Sequence, residues 1–400
     1  MSVGVCVINR NGIALAADSA GTYDVNNDPK KRMFYNTVNK LFSLSSKSLC
    51  AAITYGRLSL CNVSIEQIVC EFGRYLDTVD EIGDFFDIIT RFERYIELNN
   101  QYYGFGEEED KYCKGVIINI LQEWNENTKG LVNKEDRNIE IDRLLREKKD
   151  EVEKWNKIDE FDIKQYINQQ YRSYYDKIVI SNVPAFKELS SEIELLWELI
   201  TFYFRAILKV EEQKEAGLLF AGYGTEDAYP KYVQLSLYNV IGGRLKYSVS
   251  EKYYCGRLGG KIKPVAQPDV ILTFCQGISG SMIGEISSGY TKIINDLLSS
   301  YTGIGKNEIK EHFKDFKQSF DNTISQIVQK EVRSTLDIMA TLPISEMAFL
   351  SENLVNITEL KRTYAIDGNQ QTVGGPIDVA IITKGSGFEW IRKKRFQKGP

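Results

Sequence analysis

The residues best suited to chemistry in this chain stand at its amino terminus. Ser2 begins the apolar segment Ser2–Ile8, and removal of Met1 would leave a serine that carries its own free α-amine. An α-amine titrates near pH ~8, about two units below a lysine side chain, so it is basic enough to accept a proton at cellular pH. A serine hydroxyl beside such an amine is a nucleophile with its own general base. This pair of groups predicts acyl-transfer chemistry.

A single histidine, His312, restricts the other kinds of catalysis that the chain can use. A Ser-His-Asp or Cys-His hydrolase would depend on this residue alone, and its place on the polar side of a helical stripe predicts an exposed position. A histidine-based zinc site is equally disfavoured. The seven cysteines form no C-x-x-C pair, which favours a reducing, cytoplasmic setting. We expect neither a metal nor a cofactor.

Charge and hydropathy exclude several classes of partner. The 400 residues carry a net charge of −5, which gives no electrostatic reason to expect nucleic acid or an anionic membrane. No segment approaches the ~20 apolar residues of a membrane span, and the amino terminus lacks the pattern of a signal peptide. The basic tail Arg392–Arg395 is interpreted as a solvated end. We expect a cytoplasmic protein with no nucleic-acid or membrane partner.

The first part of the chain predicts strands covered by a helix. Two apolar segments flank Asn11-Gly12, and Asn-Gly between such segments favours a hairpin with a type I′ turn. Strand patterns follow at 40–44 and 49–55. A helix then begins after Ser64, with Gln67 placed to complete a capping box.

Residues 79–215 differ from the rest, because strand patterns disappear, charge rises and aromatic residues recur at helical spacing. We interpret them as a helical insertion. Strand patterns then resume, helices fill 269–361, and a hairpin closes the chain at 377–391. This order predicts an α+β fold, a four-layer αββα sandwich of two antiparallel sheets with helices outside. The predicted core is residues 1–78 and 216–400.

Five motifs of the predicted core occur in the order found in one known family. They are Ile13–Thr22, Asn39–Phe42, Ile53–Gly56, Leu219–Tyr223 and Gly374–Ile381. On these motifs the chain resembles the proteasome β-subunit superfamily of N-terminal nucleophile (Ntn) hydrolases, which includes the bacterial HslV peptidase and the bacterial ancestral β-subunit proteins. The resemblance covers residues 2–78 and 216–391 and implies the Ntn hydrolase fold.

The resemblance also implies catalytic roles. Ser2 corresponds to the N-terminal nucleophile, Asp18 to the carboxylate after the second strand, and Lys40 to the essential lysine. Gly56 corresponds to the residue whose N–H forms the oxyanion hole, and Thr54 is the alternative if the strand is aligned without a gap. An ammonium at Lys40 would favour the serine alkoxide, and one oxyanion donor is worth ~3 kcal/mol.

Two features depart from the family pattern. The Asp and Ser that orient the terminal amine in the family fall at Gln370 and Val373, with Asp367 nearby. The Gly-Ser-Gly loop ahead of the third helix is replaced by Val265–Asp269. Both departures bear on activity rather than on fold.

The expected function is an N-terminal-serine amidohydrolase or peptidase that cleaves peptide or amide bonds through an acyl-enzyme. The resemblance implies a bacterial, cytoplasmic protein that self-associates, with a peptide or protein substrate. It also suggests an ATP-dependent unfoldase, or another partner, that binds through the insertion. The alternatives are a catalytically inactive proteasome-like scaffold or binding subunit, and a self-assembling structural protein whose insertion recruits a partner.

Overall fold

The computed structural model describes residues 2–24, 32–45, 49–130, 134–153, 163–186, 189–207, 215–300, 306–364 and 373–394. Met1, Asp367, Gln370 and Arg395 lie outside these residues, as does the side chain of His312. The strands, in chain order, are β1 (Gly4–Asn9), β2 (Gly12–Ala17), β3 (Gly21–Asp24), β4 (Arg32–Tyr35), β5 (Leu41–Ser43), β6 (Cys50–Gly56), β7 (Ser59–Leu60), β8 (Val63–Ser64), β9 (Ala216–Gly222), β10 (Lys231–Ile241), β11 (Arg244–Tyr254), β12 (Gly260–Val265), β13 (Asp378–Thr383) and β14 (Gly387–Arg392).

The α-helices of the described residues follow the strand blocks in chain order. They are α1 (Ile65–Thr78), α2 (Ile88–Leu98), α3 (Asn100–Tyr103), α4 (Phe105–Thr128), α5 (Lys134–Val152), α6 (Ile163–Asn182), α7 (Ser190–Arg205), α8 (Asp269–Gln276), α9 (Gly280–Ser300), α10 (Lys306–Met339) and α11 (Ile344–Thr363). Short 3₁₀ turns at Phe85–Asp87 and Pro184–Phe186 connect some of them.

Two five-stranded antiparallel sheets form the centre of the fold. The first has the strand order β12-β1-β2-β13-β14, and the second has the order β11-β10-β9-β6-β5. The carboxyl-terminal strand β13 pairs with β2, so the two ends of the chain meet in one sheet. The described residues combine helices with antiparallel sheets, which is compatible with the α+β class predicted from the sequence.

The amino-terminal hairpin forms as predicted, but its turn is of a different type. Asn9 pairs with Gly12, so Arg10 and Asn11 are the turn residues, and neither has a positive φ. The predicted type I′ turn is therefore wrong. Asn9 instead accepts the N–H of Asn11 at 2.8 Å through Oδ1 and donates from Nδ2 to the carbonyl oxygen of Leu342 at 2.9 Å. Contacts from the α10–α11 connection thus hold the turn.

Strand β1 is buried on both faces, and its side chains alternate between two neighbours. Cys6 and Ile8 belong to the apolar cluster between the two sheets. Val5 and Val7 pack on the opposite face, against α11. This period of two is what a strand between a sheet and a helix requires. Ser2 has the same parity as Cys6, which directs its side chain toward the space between the sheets.

Helices cover the outer faces of both sheets. On the first sheet, Met347 and Val355 of α11 belong to the apolar cluster that includes the outward-facing side chains of β1 and β2. On the second sheet, Phe72 of α1 and Phe92 of α2 pack against Phe220 of β9, and their ring centroids lie 5.0 to 5.7 Å apart. Helices therefore enclose the paired sheets on both sides.

The helices of residues 79–215 fall into two groups. Helix α2 and Phe105 at the start of α4 share an apolar cluster with the second sheet. The rest of α4 and helices α5 to α7 enclose a cluster of their own, which contains Tyr175, Trp197 and Phe204. Glu109 links this second group to the sheet, because its Oε2 accepts the N–H of Gly242 at 2.9 Å in the β10–β11 turn.

Helix α1 begins where predicted, but without the capping box. The side chain of Ser64 makes no capping hydrogen bond, and Gln67 donates to Glu71 at 3.3 Å instead. The N–H of Ile65 donates to the carbonyl oxygen of Leu58 at 3.0 Å, so the preceding loop supplies an acceptor for the first turn. Tertiary contact replaces the local cap.

One strand of the first sheet, β12, was not predicted from the sequence. It contains Pro264, which has no amide hydrogen and is tolerated mainly on edge strands. β12 is such an edge, because it pairs with β1 alone. Lys261 and Lys263 on the same strand further weaken the apolar pattern.

Among the described residues, no single helix combines the length and the apolar composition that a membrane crossing needs. Helix α8 and the Gly280–Asp296 part of α9 meet both conditions only when taken together, and a bend of 71° separates them. Gly277, with a φ of +70°, ends α8 in the left-handed conformation that glycine adopts without strain.

Candidate active site

The carboxylate of Asp18 organises the end of the chain. Asp18 follows β2, and its Oδ1 accepts the N–H of Val3 at 2.9 Å and the ammonium of Lys40 at 2.6 Å. Its Oδ2 accepts the N–H groups of Ala20 at 3.3 Å and Gly374 at 3.2 Å. A buried carboxylate is costly unless its lone pairs are satisfied, and these four donors satisfy Asp18.

The same carboxylate oxygen joins the Lys40 ammonium to the residue that follows the predicted nucleophile. Val3 is bonded directly to Ser2, and Asp18 Oδ1 lies 2.9 Å from the Val3 nitrogen and 2.6 Å from Lys40 Nζ. The two contacts converge on one atom, so Asp18 Oδ1 links the Lys40 ammonium to the backbone amide that follows Ser2. Ser2 itself is buried, with 4% of its surface exposed. Asp18 therefore joins Lys40 to the backbone that follows Ser2, while the proximity of the Lys40 ammonium to the Ser2 hydroxyl stays a prediction.

Burial dominates the electrostatics of Lys40. The residue is 1% exposed, and this burial lowers the pKa of its ammonium. The Asp18 carboxylate opposes the shift, both as a charge and as a hydrogen-bond acceptor, and the charge of Lys394 adds to the lowering. The physical cause is the cost of holding a cation away from water. Lys40 is thus a cation that can lose its proton more readily than a surface lysine.

The pairing of β5 with β6 favours Gly56 over Thr54 as the oxyanion donor. The N–H of Thr54 already donates to the carbonyl oxygen of Lys40 at 2.8 Å. Alternate N–H groups of an antiparallel strand point to the same edge, so the N–H of Gly56 also points to the β5 side. At that level β5, which begins at Leu41, is no longer present. By this alternation the Gly56 N–H points to the edge of β6 that lies beyond the start of β5.

Val38, two residues before Lys40, directs its backbone groups to Ser19 and Lys394. The N–H of Val38 donates to the carbonyl oxygen of Ser19 at 3.0 Å, and its own carbonyl accepts from Lys394 Nζ at 2.9 Å.

Gly56 has a φ of +73°, and a Cβ there would lie 2.6 Å from the carbonyl oxygen of Glu215. Both facts require glycine at this strand end.

A cavity of about 330 Å³ is lined by sequence and strand neighbours of Lys40, although Ser2, Asp18, Lys40 and Gly56 do not line it. Asn39 and Thr54, which flank Lys40 in sequence and across the strand pair, line one wall. Leu58 and Glu66 line another, and Asn39 donates to Glu66 Oε1 at 2.7 Å at the rim. A volume of this size lies in the range of small-molecule sites.

Two charged residues near the site were not predicted. The interpretation of the basic tail as solvated is wrong for Lys394, whose side chain is 4% exposed and pairs with Asp378 at 2.6 Å. Glu359 on α11 is the other: burial first, and then the nearby Asp18 carboxylate, raise the pKa of Glu359. A run of charges in a sequence carries no sign of which member is buried, so only the packing of the chain end reveals Lys394.

The departures from the family pattern have structural counterparts. Val373, at the position of the family's serine, is fully buried in the apolar cluster under α11 and offers no hydroxyl. In the segment Val265–Asp269, Ala266 and Gln267 have positive φ values of 58° and 42°. Among the described residues, no group of three or more His, Cys, Asp or Glu side chains is placed to hold a metal ion.

No model of a known protein family matches this chain, and no curated protein sequence matches it either.

Proposed function

We propose that this protein is an N-terminal-serine hydrolase of the Ntn type, which cleaves peptide or amide bonds. The observation that carries the proposal is the shared oxygen of Asp18, which binds the Lys40 ammonium and the Val3 N–H together. The paired antiparallel sheets with helices outside support the finer assignment to a four-layer αββα Ntn fold. The peptide or protein substrate, self-association and an unfoldase or other partner at the insertion belong to the same proposal and rest on the resemblance alone.

In the proposed reaction, removal of Met1 frees the α-amine of Ser2. The neutral amine takes the hydroxyl proton, and Ser2 Oγ forms a bond to the substrate carbonyl carbon. The Lys40 ammonium, held by Asp18, stabilises the negative charge that develops on Oγ. The Gly56 N–H donates to the oxyanion of the tetrahedral intermediate.

Collapse of that intermediate breaks the carbon–nitrogen bond. The protonated α-amine gives its proton to the leaving amine, and the acyl group stays on Ser2 as an ester. Water then attacks the ester with the α-amine as base, the bond between the carbonyl carbon and Ser2 Oγ breaks, and the protonated amine returns a proton to Oγ as the acid product leaves. The amine is neutral again at the end, so the cycle needs no other acid or base.

Two measurements test the proposal. Intact mass of the purified protein reports whether Met1 is absent, as the mechanism requires. A small β-lactone, which acylates an activated hydroxyl, should then add one acyl group to the amino-terminal peptide at Ser2. Ser2→Ala should lose the label completely and Lys40→Ala should lose nearly all of it. Retained Met1, or equal labelling of all three proteins, contradicts the proposal.

One observation favours a second candidate, a catalytically inactive scaffold or binding subunit. Val373 is buried and apolar where the family places a serine that orients the amine. A chain that keeps the Asp18–Lys40 pair for stability alone would not react at Ser2, whether or not Met1 is removed. The labelling measurement therefore separates the two candidates directly.

A further inference from the structure

Lys394 lies after β14, yet its side chain enters the interior of the protein. The side chain is 4% exposed. Its Nζ donates to Asp378 Oδ2 at 2.6 Å, to Ser19 Oγ at 2.9 Å and to the carbonyl oxygen of Val38 at 2.9 Å. The Lys394 N–H also donates to Asp378 Oδ1 at 2.8 Å. An ammonium has three N–H groups, and each of them has an acceptor here.

The partners of Lys394 belong to the segments that carry the candidate active site. Ser19 follows Asp18 directly, and Val38 precedes Lys40 by two residues. These segments also bond each other, because the Val38 N–H donates to the Ser19 carbonyl oxygen at 3.0 Å. Lys394 therefore bridges Ser19, in the segment after β2, and Val38, in the segment before β5. We call the place where these two segments meet the crossing.

We propose that Lys394 is a positioning residue, which holds this crossing so that Asp18 and Lys40 meet beside Ser2. Lys394 does not contact Asp18 or Lys40 through any hydrogen bond described above; it acts through Ser19, Val38 and Asp378. Its importance for catalysis rests on the proposed function. Its importance for the geometry of the crossing does not.

The second ion pair also balances the charges of the region. Lys40 is faced by Asp18 from the end of β2 and by Lys394 from beyond β14, while Glu359 of α11 lies near Asp18. The ammonium of Lys394 contributes to the lowered pKa of Lys40, after the larger effect of burial. Removal of Lys394 takes away a positive charge, so the pKa of Lys40 should rise.

The neighbouring Lys393 provides a matched control. It carries the same charge one residue earlier but is exposed, with its Nζ 4.7 Å from the centre of the Trp390 ring. Lys393→Met therefore removes the same charge from the surface of the tail. Lys394→Met removes it from the buried crossing.

Hydrogen exchange measured by mass spectrometry on the full-length protein tests the positioning role without any assumption about activity. In Lys394→Met we expect exchange in segments 18–22 and 36–40 to accelerate about tenfold or more, while peptides from β9 and β10 stay protected. Lys393→Met should exchange like the unmodified protein. Unchanged exchange in the two segments, or an equal increase everywhere, overturns the proposal.

The rate of Ser2 acylation by the β-lactone tests the link to catalysis. At a temperature at which all variants are folded, Lys394→Met should react about 10- to 100-fold more slowly, as misplaced catalytic groups do. The alkaline midpoint of its pH–rate profile should move up. A purely structural role would lower the melting temperature and leave this midpoint unchanged.

The two proposals fail in different ways. Absence of acylation in the unmodified protein contradicts the hydrolase function, and the exchange data still decide the role of Lys394. Normal acylation of both the unmodified protein and folded Lys394→Met contradicts the positioning role alone. If Lys394→Met does not fold, Ser19→Ala, which keeps the Asp378–Lys394 pair but removes one acceptor, must show faster exchange in 36–40 or the proposal is wrong.

Discussion

Ionic contacts tie the two sheets together at two places, and the contacts are built differently. Asp18 after β2 meets Lys40 before β5 at 2.6 Å, and the two side chains are 0% and 1% exposed. Glu251 on β11 meets Lys263 on β12 at 2.7 Å, and these side chains are 24% and 19% exposed. Glu251 also pairs with Lys261 on the same strand.

Burial decides what each contact can do. The Asp18 carboxylate depends on four protein donors, because water does not reach it. The Glu251 carboxylate shares its charge with two lysines and with solvent, so the loss of one partner is partly compensated. A dry ion pair bonded to the backbone next to Ser2 is suited to act on a reacting group, whereas the partly exposed contact joins the sheet edges.

The largest effect expected is that of Lys40→Met. Loss of the ammonium should slow Ser2 acylation about 10³-fold, the size expected for a positioned charge at a reacting group. It should also lower the free energy of unfolding by about 3–5 kcal/mol, since Asp18 is left as a buried, unpaired charge. Acylation rates and urea denaturation measure the two effects.

Lys261→Met is the matched control at the partly exposed Glu251 contact. Lys263 still pairs with Glu251 in this variant, so acylation should stay within a factor of about two and stability should change by less than about 1 kcal/mol. Equal losses of acylation in Lys40→Met and Lys261→Met would remove the distinction between the two contacts.

The alkaline pH dependence comes next. The folded-state pKa of Lys40 is lowered by burial. As the pH rises, acylation should therefore begin to decline at a lower pH than ~10.4, the pH at which a free lysine loses its proton. The free energy of unfolding should instead rise over the same range. Between the lowered pKa of folded Lys40 and ~10.4, the unfolded chain binds more protons than the folded protein does. The unfavourable contribution of Lys40 to stability is therefore relieved as pH rises. Lys40→Met, compared with the unmodified protein over pH 7–11, should lack both trends.

Gly56→Ala tests the strand end next to the buried contact. A Cβ at a φ of +73°, 2.6 Å from the Glu215 carbonyl oxygen, should cost about 1–3 kcal/mol of stability. The shifted N–H should also slow acylation. Ala216→Gly on the partner strand provides a control for a change in glycine content. Unaltered stability and acylation in Gly56→Ala would contradict the assigned conformation.

The smallest effect expected is at Glu251 in acid. Burial raises the pKa of this carboxyl, but hydrogen bonds from Lys261, Lys263 and Tyr232 outweigh it and lower the pKa to about 2. The contact therefore stabilises the fold above the unfolded pKa near 4.5 and loses this contribution as pH falls toward 2. Between pH 5 and pH 3 the unmodified protein should lose about 1 kcal/mol more than Glu251→Gln, after allowance for solvent screening. Parallel losses in urea denaturation would refute this.

Local patterns predicted a good part of this protein. Apolar alternation placed β1 and β2, helical periodicity placed α1, the position of Ser2 behind Met1 suggested a nucleophile, and the family resemblance implied roles for Asp18 and Lys40. Such features follow from neighbours in the chain, because period and turn chemistry are local properties. The turn at Arg10-Asn11 and the first turn of α1 were predicted less well, since distant carbonyl groups satisfy them.

By itself the sequence determined the α+β class and the residues able to supply a nucleophile, a carboxylate and a cation. Only the tertiary structure brought Asp18 Oδ1 to both Lys40 and the Val3 N–H, and only it buried the side chain of Lys394 next to the same segments. The reason is physical. Burial and hydrogen-bond satisfaction depend on segments hundreds of residues apart, and a charge in a sequence carries no record of the groups that will surround it.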